Sequence, residues 1–155
     1  MKFIFKEESI KNTQEIYYFA NDVSFTCEEW NQCDFTIMIG CAYIGIDISL
    51  YNKQVLQISG ACPKQAWIKK KLEPPNQLKE GKIYLETKEE FSKGTGIYLT
   101  DRNIPIYFDI KNNCICIGNY NVKDSDCNVK ISSNLIISLS KDKIKSIWIN
   151  PLKIK

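Results

Sequence analysis

Apolar and polar residues alternate with a period of two in three separate stretches of this chain, and each stretch is followed by a short polar turn and a second apolar run. That pattern predicts β-hairpins, because successive side chains of a strand point to opposite faces. In the first, Ile44, Ile46, Ile48 and Leu50 share a face while Tyr43, Gly45, Asp47 and Ser49 share the other. Tyr51-Asn52-Lys53 then turns the chain into Val55-Leu56-Gln57-Ile58-Ser59-Gly60. In the second, Ile104, Ile106, Phe108 and Ile110 alternate with Pro105, Tyr107 and Asp109, and Lys111-Asn112-Asn113 leads into Cys114-Ile115-Cys116-Ile117-Gly118. In the third, Leu135, Ile137 and Leu139 run to Ser140-Lys141-Asp142-Lys143 and return as Ile144 to Ile149. Asn and Asp suit such turns, since they tolerate left-handed backbone angles and bond their own main chain.

Further strands are expected at 2–6, 35–40, 82–87, 96–100 and 128–132. Helix signals are weaker. Thr13 could cap a helix through Ile16, Phe19, Ala20 and Val23, although Ile16-Tyr17-Tyr18-Phe19 reads equally well as a strand. Pro63 could open one or two helical turns through Ala66, Trp67 and Lys70. About ten strands in 155 residues, with no linker between differing compositions, predict one mainly β domain over 1–155. Its form is an antiparallel sandwich or open barrel built from hairpins, with at most two short helices.

Composition is that of a folded domain: 44% hydrophobic residues, with three Trp, eight Tyr and seven Phe, are more than a disordered chain carries. The start, Met1-Lys2-Phe3-Ile4-Phe5-Lys6-Glu7-Glu8, becomes charged too soon for a signal peptide, and no window is apolar for the 18 or so residues a membrane span needs. A cytoplasmic protein that does not enter a membrane is expected. The seven cysteines are odd in number and stand mostly in apolar runs, so they read as reduced, buried thiols.

Histidine is absent, which removes Ser-His-Asp and Cys-His catalysis in their usual forms. Gly94-Thr95-Gly96 precedes a strand, where a nucleotide loop would lead into a helix. Cys114-Ile115-Cys116 sets two thiols on one strand face, but a structural zinc site draws on tight knuckles, so no metal or other cofactor is expected. Glu28-Glu29 and Asp124-Ser125-Asp126 are local carboxylate clusters that nothing in the sequence brings to a glycosidase-like separation. Lys69-Lys70-Lys71 and the C-terminal lysines raise nucleic-acid binding. With Arg102 as the single arginine, they read instead as a solvated face or a guarded edge.

Charge is uneven. Residues 1–34 hold seven acids and three lysines, and the stretch 12–34 holds Glu15, Asp22, Glu28, Glu29 and Asp34 with no base at all. These acids are interleaved with Tyr17, Tyr18, Phe19, Phe25 and Trp30. Acids around exposed aromatics suit recognition of a basic protein, the rings anchoring and the carboxylates steering. Glu28, Glu29, Trp30, Asp22, Asp34 and Tyr18 are therefore the expected partner-binding residues. The competing reading makes the rings core and the acids its wet face.

Ile106-Tyr107-Phe108-Asp109 with its hairpin, and the ending Asn134-Leu135-Ile136-Ile137 to Ile147-Trp148-Ile149-Asn150-Pro151-Leu152, give the last third of the chain a style that resembles immunity proteins of bacterial contact-dependent growth inhibition and related polymorphic toxin systems. The resemblance implies a non-enzymatic cytoplasmic protein that binds a cognate toxin domain and neutralises it. The net charge of +3 departs from the acidic balance of many nuclease inhibitors, which argues against simple phosphate mimicry. Two other readings stay open: a small-ligand-binding β-barrel, and a carboxylate-based hydrolase. Oligomeric state is not legible.

Overall fold

A computed structural model describes residues 1–9, 13–27, 34–40, 43–99 and 104–155. Fifteen strands follow in chain order: β1 (Lys2–Glu7), β2 (Ile16–Phe19), β3 (Ser24–Cys27), β4 (Phe35–Ile39), β5 (Ile44–Ile48), β6 (Val55–Ala61), β7 (Trp67–Lys69), β8 (Lys79–Glu86), β9 (Thr95–Tyr98), β10 (Ile106–Asp109), β11 (Cys114–Gly118), β12 (Cys127–Lys130), β13 (Leu135–Ser140), β14 (Lys143–Ile149) and β15 (Lys153–Ile154). The only helical turn among the described residues is a 3-10 turn, Lys64–Ala66, just after Pro63.

All three expected hairpins form, as β5–β6, β10–β11 and β13–β14. Their turns each hold one residue with positive φ: Lys53 at 61°, Asn113 at 48° and Lys141 at 59°. Only the middle turn gives that position to the expected Asn. In the first, Asn52 instead accepts the Gln54 N–H through its side chain, and Lys53 takes the left-handed angle. The segment with both helical and extended character resolves as two strands. β2 and β3 pair antiparallel, with Tyr18 opposite Phe25.

The strands form two sheets, in the orders β1-β8-β12-β13-β14-β11-β10-β7 and β15-β2-β3-β6-β5-β4-β9. Neither closes into a barrel. The sandwich is thus the expected one, but its sheets are mixed: β7–β10, β8–β12, β2–β15 and β4–β9 pair in parallel. Hairpin grammar could not reveal these, because parallel neighbours are joined by long connections rather than local turns.

One apolar cluster fills the space between the sheets. Ile115, Ile117, Leu135, Ile137, Ile147 and Ile149 enter it from the larger sheet, and Ile16, Phe25, Phe35, Ile37, Ile46 and Ile58 from the smaller. Trp67 bridges the two layers, with ring centroids 4.9 Å from Tyr18 and 5.2 Å from Phe108. A second, smaller cluster lies on the outer face of the larger sheet. There Cys114, Cys116, Ile136 and Trp148 are covered by Leu72, Tyr120 and Val122 from the loops that follow β7 and β11. This explains why β11 and much of β14 are buried on both faces and read as near-continuous apolar runs.

Candidate functional site

The described part of the acidic segment does not form an acidic face. Asp22 is exposed in the turn between β2 and β3. Glu15 is bound to the Lys153 ammonium and accepts the Tyr17 hydroxyl at 2.6 Å. These contacts, Lys153 first, hold the Glu15 carboxyl below the usual range. Asp34 is half-buried, and its carboxylate accepts the Leu50 N–H at 2.8 Å, tying β4 to the end of β5.

Tyr18 requires a correction. Its side chain is 1% exposed, packs between Phe25 and Trp67, and donates its hydroxyl to the Cys62 carbonyl at 3.0 Å. It is an interlayer core residue and cannot anchor a partner, because the alternation of β2 turns Ile16 and Tyr18 inward. Glu28, Glu29 and Trp30 lie outside the described residues.

The described thiols are structural. Cys27, Cys114, Cys116 and Cys127 are free thiols, and burial pushes Cys27 and Cys114 up to about 11 and raises Cys116 further, while the buried Cys62 Sγ accepts the Trp67 Nε1–H at 3.1 Å. Protonated buried thiols make poor metal ligands. Among the described residues no group of three or more Cys, Asp or Glu side chains is placed to hold a metal ion.

The inward-held carboxylates accept from the backbone, from neutral side chains or from a single cation. Asp109 accepts N–H bonds from Leu72 at 2.7 Å, Lys111 at 2.8 Å and Asn112 at 3.1 Å. These bonds, Leu72 and Asn112 foremost, lower its pKa. Asp47, 1% exposed, accepts from Thr36 and Gln57 on the flanking strands. Asp126 pairs with Lys145, whose side chain is only 11% exposed. Burial pushes the Asp126 carboxyl up, and the bonds from Lys145 and from the Lys123 N–H outweigh it, so the net shift is downward. Asp124 and Asp126 line a groove of about 410 Å³ between the 73–79 and 122–128 segments, but with Asp126 neutralised they do not form a free acid/base pair.

A cluster of lysines lies elsewhere. A groove of about 510 Å³ at the β7–β10 end of the larger sheet is lined by Lys69, Lys70, Lys71 and Lys111, with Ile110 among them. Its one acid, Asp109, is turned inward to four N–H bonds. Lys70 sits 4.5 Å over the Tyr120 ring, and Lys71 makes a loose 3.9 Å pair with Glu73 at a fully wet position. Among the described residues β7 has β10 as its neighbour on one side and ends the sheet on the other. Ile68 on β7 is 49% exposed and Ile110 is 62% exposed. Lys69-Lys70-Lys71 was the signal in the sequence. What the sequence lacked was Lys111, brought alongside by the parallel β7–β10 pairing.

No protein-family model matches the chain, and a search of curated proteins finds no similar sequence. Among the described residues no helix is long and apolar enough to cross a membrane.

Proposed function

We propose that this chain is a non-enzymatic protein-binding module, acting in the cytoplasm as an immunity protein that occupies one cognate bacterial toxin domain. The observation that supports this reading is the exposure of Ile68 on the edge strand β7 and of Ile110 just past the end of its neighbour β10. Apolar side chains at a strand edge gain from being covered, and an edge with unpaired backbone groups accepts another chain. The inward carboxylates Asp47, Asp109 and Asp126 are held by fixed hydrogen bonds, which agrees with structural duty rather than proton transfer. Of the acidic segment, Asp22 keeps a free surface position from which it can touch a partner.

The test is co-expression with the toxin-bearing product of the gene directly upstream. Protection of growth, with a 1:1 complex by light scattering, supports the reading. Unprotected cells and two separate species in solution end it.

A further inference from the structure

We propose that the β7 edge receives an acidic, extended segment of the protein partner. This inference rests on the protein-binding reading above and supplies the partner's chemistry. Alternate residues of a strand turn their backbone N–H and C=O to opposite sides. The Lys70 N–H bonds the Phe108 carbonyl at 3.0 Å, so the N–H and C=O of Lys69 face away from the sheet. Among the described residues they have no backbone partner and are open to pair with a strand laid along β7, while the Trp67 N–H is already used by the preceding 3-10 turn. The available ladder is therefore short, and side chains must carry much of the recognition. Lys69, Lys70 and Lys111 have no carboxylate within 4.0 Å among the described residues, and Asp109 offers them none on its outward side. Four lysines line one groove, and only Lys71 has a loose acidic partner, Glu73, so the groove calls for an anionic partner. Ile68 and Ile110 select a protein strand over a nucleic acid, since aliphatic side chains give no platform for base stacking.

The experiment uses the full chain and two probes: a labelled peptide of alternating Glu and Val, and the same peptide N-methylated at every second residue. Binding is read by fluorescence anisotropy and mapped by amide shifts in NMR spectra. The Glu-Val peptide is expected to bind and to shift Ile68, Lys69 and Ile110. The double variant K69E/K111E, at two exposed positions, is expected to bind it at least about tenfold more weakly with an unchanged circular dichroism spectrum. N-methylation should cost at least about as much, because it removes the backbone donors. Equal binding to the reversed variant or of the N-methylated peptide overturns the proposal. So does tighter lysine-dependent binding of a single-stranded oligonucleotide. If K69E/K111E still forms the toxin complex at full affinity, this location of the interface is wrong while the protein-binding reading stands; absence of any complex with the unaltered chain removes both.

Discussion

Asn134, at the mouth of β13, satisfies both backbone polar groups of Ile16 in the opposite sheet. Its Oδ1 accepts the Ile16 N–H at 2.8 Å and its Nδ2 donates to the Ile16 carbonyl at 2.8 Å. The same Nδ2 donates to Pro151 at 3.0 Å. The side chain thus imitates a strand neighbour for β2 and clamps the two layers at one corner. Burial makes the clamp valuable: Asn134 is 1% exposed and Ile16 fully buried, so no water can replace these bonds cheaply.

Asn134→Leu should therefore destabilise the fold by about 2–4 kcal/mol, since several buried groups are left unpaired at once. Asn134→Asp keeps the acceptor but places a carboxylate against two carbonyl oxygens, and should cost at least as much. Urea unfolding measures both. A change below about 0.5 kcal/mol for the Leu variant would mean that the clamp is redundant.

The outer-face cluster should behave as a second core. Trp148 is fully buried there, donates its Nε1 to Ser146 at 3.0 Å, and lies in the same cluster as Leu72. Trp148→Ala is expected to cost about 3–5 kcal/mol, as for other buried large-to-small changes. The packed Tyr107–Tyr120 pair, with centroids 4.9 Å apart, should loosen with it. Amide exchange in residues 119–122 reads this directly, and unchanged protection there would contradict the coupling.

Acid should weaken the fold partly through Asp126 and Asp109. Both have folded-state pKa values below their ordinary ones, so each contributes stability that is complete above the unfolded carboxyl range near 4 and is lost as pH falls through the folded value. Asp126→Asn should destabilise at pH 7, where it strands the nearly buried Lys145. The deficit should shrink as pH falls below about 4 and vanish once pH passes the lowered folded value, where the native Asp126 is protonated as well. A deficit that stays constant from pH 7 to pH 2 would show that the charge is not responsible.

Thiol reactivity should be low in the native state. With Cys27 and Cys114 pushed up to about 11, their thiolate fractions at pH 8 are roughly two orders of magnitude below that of a free cysteine. Alkylation at pH 8 followed by peptide mapping should label Cys27, Cys114 and Cys116 only in denaturant. Rapid native labelling of Cys114 would show that the cover over the outer cluster opens readily.

Period-two patterning and turn chemistry determined the local architecture of this protein. The three hairpins, most of the other strands and the mainly β sandwich were legible because a strand's side-chain alternation and its two- to four-residue turns are encoded by neighbours in the chain. The burial of Cys114 and Cys116 was legible for the same reason. Tertiary structure alone decided the parallel pairings, the covering of a second sheet face, the inward turn of Tyr18 and the meeting of Lys69, Lys70 and Lys71 with Lys111. Most of these depend on contacts between residues about forty or more positions apart, where sequence periodicity says which face is apolar but not which element will cover it. Of the described acids in the 12–34 run, Glu15 found Lys153, a partner 138 residues away, and Asp34 found the Leu50 N–H across a hairpin, so these two do not share a face with the exposed Asp22.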